Sequence, residues 1–74
     1  MFEQIRSAIL EYVDVPKDSI TPDSKFMADI HMNSLDIMTM VGDLEDAFDI
    51  TIETEDLSSI FTIQDLIDYI NERV

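Results

Sequence analysis

Apolar residues recur at helical spacing along most of this chain. Phe2, Ile5, Ile9, Tyr12 and Val13 share one face of a helix expected from about Phe2 to Val13, with Glu3, Arg6, Ser7 and Glu11 placed elsewhere. Pro16 disfavours helical geometry at Val15 and ends that helix. A second start is marked at Asn33, whose side-chain oxygen suits an N-cap. Asp36 occupies the capping-box position, and Met32 and Ile37 are spaced as a hydrophobic staple. From there to about Phe48, one face carries Ile37, Val41, Leu44 and Phe48. Another carries Leu35, Met38 and Gly42, and Asp36, Asp43, Glu45, Asp46 and Asp49 make the helix acidic. Thr62, with Asp65 three residues on, caps a last helix whose stripe is Ile63, Leu66, Ile67, Ile70 and Val74.

The segments between are shorter on pattern. Asp14 to Asn33 is a connection of about twenty residues, long enough to imply a functional loop or a hidden turn of helix. Val15, Ile20, Phe26 and Ile30 are its apolar anchors. Ile50-Thr51-Ile52 alternates like a strand but has no partner, so it reads as an extended connector. A short helix is expected around Glu55 to Ser59. Gly42 is the only glycine, and Pro16 and Pro22 the only prolines. That excludes a flexible linker, a Gly-rich phosphate loop and hairpin turns. The expected fold is therefore all-α: a four-helix antiparallel bundle, three helices long and one short, with a long first loop, forming a single domain over residues 1–74.

Composition narrows the function classes. At 74 residues the chain is one small domain, burying roughly 60% of the surface its unfolded form exposes. It has no cysteine and one histidine, which excludes disulfides, thiolate metal sites, a cysteine nucleophile and a multi-histidine centre. No metal site is expected. Its apolar runs are far shorter than the roughly 20 residues of a membrane helix. Met1-Phe2-Glu3-Gln4 lacks the pattern of a secretory signal, so a cytoplasmic domain without membrane contact is expected. Four Lys and Arg face seventeen Asp and Glu, for a net charge of −13. Phosphate-rich partners, nucleic acid or anionic lipid, would be repelled. A basic protein surface would be steered in. The same charge repels itself, so salt, divalent cations or mild acid should stabilise the fold.

Candidate chemistry is sparse. His31 and Ser34 are close in sequence, but nothing marks an orienting third residue or an oxyanion hole, so the hydrolase pattern is weak. A calcium loop with Gly42 sixth would need acids where Ile37 and Thr39 stand. Ser34 is different. It opens a capped helix, where backbone N–H groups and the helix dipole favour a phosphate. A phosphodiester on that hydroxyl is chemically sensible; a serine merely occupying the first helical position fits the same pattern.

The stretch Asp29-Ile30-His31-Met32-Asn33-Ser34-Leu35-Asp36 resembles the acyl carrier protein signature Asp-Leu-Gly-x-Asp-Ser-Leu-Asp. Leu44-Glu45-Asp46-Ala47-Phe48-Asp49 is similar to that family's Leu-Glu-Glu-x-Phe segment. Thr62-Ile63-Gln64-Asp65 with Ile67-Asp68-Tyr69-Ile70 is similar to its closing helix, so the likeness covers nearly the whole chain.

The resemblance implies a non-catalytic carrier. Ser34 would bear 4′-phosphopantetheine, attached from coenzyme A by a phosphopantetheinyl transferase, and the arm's thiol would hold acyl groups as thioesters. Leu35, Asp36, Met38, Glu45 and Asp46 would form a docking face for basic patches of acyl-processing enzymes such as ketosynthases, acyltransferases or acyl-carrier ligases. Leu44, Ile52, Leu57 and Ile60 would line an acyl pocket. Fatty-acid, polyketide or related acyl transfer is the implied setting, with a monomeric carrier. Four departures stand out: His31 for the usual glycine, Asn33 for an acid, Thr39 for a frequent acid, and Gly42 in mid-helix, where its missing side chain would allow another helix to come close. A peptidyl carrier, whose serine often follows a Gly-Gly-His or Gly-Gly-Asp motif absent here, is one alternative. An unmodified acidic interaction module with the same fold is another.

Overall fold

Helix α1 covers Phe2–Ile9 in the computed structural model, which describes residues 1–74. Ile5 and Ile9, one turn apart, are fully buried, and Phe2, Tyr12 and Val13 pack half-buried against the same core. The helix is shorter than the expected Phe2–Val13. Glu11 N–H donates to the Ala8 carbonyl at 3.2 Å and Tyr12 N–H to Ile9 at 2.9 Å. These i→i−3 bonds tighten the last turn ahead of Pro16 and close orphan carbonyls.

The long connection hides a 3-10 turn at Lys17–Ser19 and is tied down along its length. Ile20, Phe26, Ile30 and Met32 are buried, while Val15 is half-buried. Ser24 is buried too, and its hydroxyl accepts the Thr21 N–H at 2.9 Å. Three backbone bonds stitch this segment to the entry of the last helix. Phe26 N–H donates to Phe61, Ile63 N–H to Ser24 and Gln64 N–H to Pro22, at 3.0, 3.1 and 2.8 Å. Lys25 and Thr62 form an isolated antiparallel bridge.

Helix α2, Ser34–Phe48, starts where expected: Asn33 Oδ1 accepts the Asp36 N–H at 2.8 Å. Its buried side chains are Met40, Val41 and Leu44, with Ile37 and Phe48 half-buried. Met40 widens the stripe read from sequence, since it lies on the same face, three residues after Ile37 and four before Leu44. No element of this chain packs close against Gly42: a Cβ added there would meet nothing within 4 Å. Asp49 ends the helix in the left-handed region at φ 55°.

Ile50–Ile52 connects α2 to the next segment without regular secondary structure, and the molecule contains no strand. The expected short helix is present as 3-10 rather than α, over Thr54–Ser59. Helix α3, Ile63–Asn71, opens with a full capping box between Thr62 and Asp65. It buries Ile63, Leu66 and Ile70, with Ile67 half-buried. Val74 lies past the helix end and is exposed, so it does not extend the stripe. Tyr69 reaches back to the 3-10 segment. Its hydroxyl donates to Asp56 at 2.7 Å and accepts the Glu53 N–H at 3.2 Å, under the Arg73 guanidinium. One cluster of 13 buried apolar residues joins all three α-helices, the loop and Ile52.

Candidate functional site

Ser34 stands at the first position of α2, exposed, and its hydroxyl has no hydrogen-bond partner in the chain. The approach is set by His31, held in the left-handed region at φ 69°, and by Asn33 in extended geometry. Asn33 engages the Asp36 N–H with its side chain and the Ile37 N–H with its carbonyl. The N–H groups of Ser34 and Leu35 are left without partners in the chain. An exposed hydroxyl therefore sits beside two free amide donors at the positive end of a 15-residue helix, which is a favourable setting for a phosphate.

Beside Ser34 opens a cleft of about 430 Å³. Its walls come from the loop (Phe26, Met27), from α2 (Ile37, Met38) and from the chain between the 3-10 segment and α3 (Leu57, Phe61). Ile60 contributes too, so two of the four expected pocket residues, Leu57 and Ile60, meet here. Leu44 and Ile52 do not line the cleft, because both side chains are committed to the core cluster. None of the seventeen acids lines it, and Lys25 is its one charged residue. The lining thus fits an apolar chain led in by a single anionic group at Ser34.

The expected docking residues divide into two groups. Leu35 and Met38 are 72% and 51% exposed, a cost that burial elsewhere in the core does not explain. Asp46 is exposed and Asp36 half-buried. Glu45 is half-buried, and its Oε2 accepts the Ile52 N–H at 3.0 Å, so this carboxylate also pins the connector. Met38 belongs to both surfaces, which makes the exposed face of α2 continuous with the cleft mouth. Met27 and Phe61, 55% and 63% exposed, extend that apolar rim. They escaped sequence reasoning because neither falls on a helical stripe; the only signal was a large apolar side chain inside a connection.

Perturbed ionisable groups lie elsewhere. Tyr12 donates to Asp43, which pushes its pKa up to about 12 and ties the turn after α1 to α2. Asp65 is held below its ordinary value by the Phe61 and Thr62 N–H groups. Neither lines the cleft. Nor is any group of three or more His, Asp or Glu side chains arranged to hold a metal ion.

The family model for the phosphopantetheine attachment site matches residues 3–70. The chain is 38% identical over 71 residues to an acyl carrier protein of Syntrophus aciditrophicus, covering 96% of this chain and 89% of that one. It is 41% identical over 68 residues to an acyl carrier protein of Chlorobium phaeobacteroides, covering 92% and 87%. The solved structure of the acyl carrier protein from Enterococcus faecalis superposes with a TM-score of 0.82 at 27% identity, over 99% of this chain and 92% of that one.

Proposed function

This chain belongs to the phosphopantetheine-attachment family as an acyl carrier protein, and from that premise we propose that Ser34 bears the arm. The protein is a non-catalytic carrier, and acyl-processing enzymes are its partners. When attached, 4′-phosphopantetheine supplies a terminal thiol on which acyl groups are carried as thioesters. The chain itself supplies the anchoring hydroxyl, the amide donors beside it and the cleft.

One observation carries the assignment to Ser34. Its exposed, unpartnered hydroxyl lies between two free N–H groups and the mouth of an apolar cleft free of carboxylates. The face of α2 formed by exposed Leu35, Met38 and Asp46 with half-buried Asp36 is the docking surface in this reading, with Glu45 adding charge while holding Ile52. Basic patches on ketosynthases, acyltransferases or ligases are drawn to it by charge and released quickly, which suits a shuttle. The phosphopantetheinyl transferase uses the same approach. Tethering then raises the cargo's concentration at each docked enzyme. Leu57 and Ile60 shelter part of the acyl chain in the cleft. Residues 1–74 act as one monomeric carrier domain in the cytoplasm, serving fatty-acid or related acyl synthesis. No helix is long and apolar enough to cross a membrane.

The test is intact mass after incubation with coenzyme A, magnesium and a broad-specificity phosphopantetheinyl transferase. One added phosphopantetheinyl group on the wild type, absent in Ser34→Ala, is the expected result. An unmodified wild type with two different transferases would favour the unmodified interaction module instead.

A further inference from the structure

We propose that Lys25 is the counter-ion of the phosphodiester on Ser34 and thereby turns the loaded arm toward the cleft; this rests on the Ser34 reading above. The chain has only four Lys and Arg residues. Arg6 is paired with Glu3 at 2.6 Å, and Arg73 lies 3.6 Å from Asp56 and stacks on Tyr69. Lys25 and Lys17 make no ion pair, although seventeen carboxylates are available. Of these two, only Lys25 lines the cleft that Ser34 opens onto.

Its backbone is fixed on both flanks. The Lys25 N–H donates to Asp29 Oδ2 at 2.8 Å, Lys25 bridges Thr62, and the next N–H, of Phe26, donates to Phe61 at 3.0 Å. The backbone of Lys25 is therefore anchored at the cleft wall, and its ammonium has no ion-pair partner in the chain. A phosphodiester on Ser34 adds a negative charge to a molecule already at −13, two residues from Asp36. Asn33 beside it is neutral. The lining offers that charge one cation and no carboxylate, so the favourable direction for the arm is across the cleft rather than over the acidic surface of α2. Lys25 is thus a positioning residue: it makes no bond to the cargo but determines where the cargo starts.

The experiment compares melting temperatures of the unloaded and loaded forms of the wild type, Lys25→Met and Lys25→Gln, with Lys25→Arg as the conservative control. Intact mass establishes the loading state of every sample. At low salt, the change on loading should be more favourable in the wild type than in either neutral variant by about 1–6 °C, as for an exposed ion pair in a domain of this size. Lys25→Arg should restore the difference. About 1 M salt, with a Debye length of about 3 Å, should abolish it. The ³¹P resonance of the phosphodiester should also move between wild type and Lys25→Met. Equal loading shifts in all four proteins would overturn the role of Lys25 alone. Absence of the arm from the wild type by mass would overturn the Ser34 reading, and this proposal with it.

Discussion

His31 turns the chain at φ 69° three residues before Ser34, where the family signature has glycine. A side chain in the left-handed region costs about 1–2 kcal/mol, part of which glycine gives back through its looser unfolded state. His31→Gly should therefore stabilise the fold by up to about 1 kcal/mol, and the β-branched His31→Val should destabilise it; urea midpoints decide both. Asp65 makes a second residue-scale prediction. Its carboxylate accepts the Phe61 and Thr62 N–H groups, which lowers its pKa from the ordinary 3.8. The unfolded chain binds that proton more readily, so the stabilisation is complete above about pH 4 and fades as pH falls through the lowered value. Asp65→Ala should cost about 1 kcal/mol at pH 7 and progressively less toward pH 3, read from denaturant midpoints at each pH. Both caps were legible in the sequence because N-capping is a local bargain between residues three apart. The turn at His31 was not legible: a histidine in place of the signature's glycine argues against a positive φ, yet the chain adopts one there.

At the scale of elements, the stripes of α1 and α3 came through because each packs one face on the core. The end of α1 did not, since its tightened last turn is decided by the chain bending away at Pro16 rather than by apolar spacing. Met40 lies on the same face as Ile37 and Leu44, so the buried stripe of α2 is one position wider than the four residues read from sequence. Gly42 offers the clearest test of α2. An added Cβ meets nothing within 4 Å, so Gly42→Ala should raise stability by about 1 kcal/mol through helix propensity alone. The docking face belongs to this scale as well. Asp46→Lys is the variant to use, because Glu45 also holds the Ile52 N–H. It should weaken binding to a basic acyl-processing enzyme at low salt, with the effect shrinking as salt rises. Unchanged affinity at low salt would remove Asp46 from the docking surface.

The whole molecule carries −13 on 74 residues with no group of side chains arranged to chelate a metal. Added magnesium should raise the melting temperature by screening, and sodium chloride should do the same at higher concentration. The cleft also exists only at this scale. Phe26, Met38 and Phe61 come from three separate parts of the chain and meet through the backbone stitches between the loop and the entry to α3. The family resemblance could name Leu57 and Ile60 as lining but could not separate them from Leu44 and Ile52, because core and pocket use the same side chains. Ser34 was singled out by the resemblance of residues 29–36 to the family signature, while its place at the helix start follows from the Asn33 cap beside it. The most direct measurement is fragment-ion mapping of the chain after loading with the arm and then with an acyl group. Both masses are expected on Ser34, with the acyl mass released by hydroxylamine and the arm retained. An arm on any other serine, or an acyl group still gained by Ser34→Ala, would contradict it.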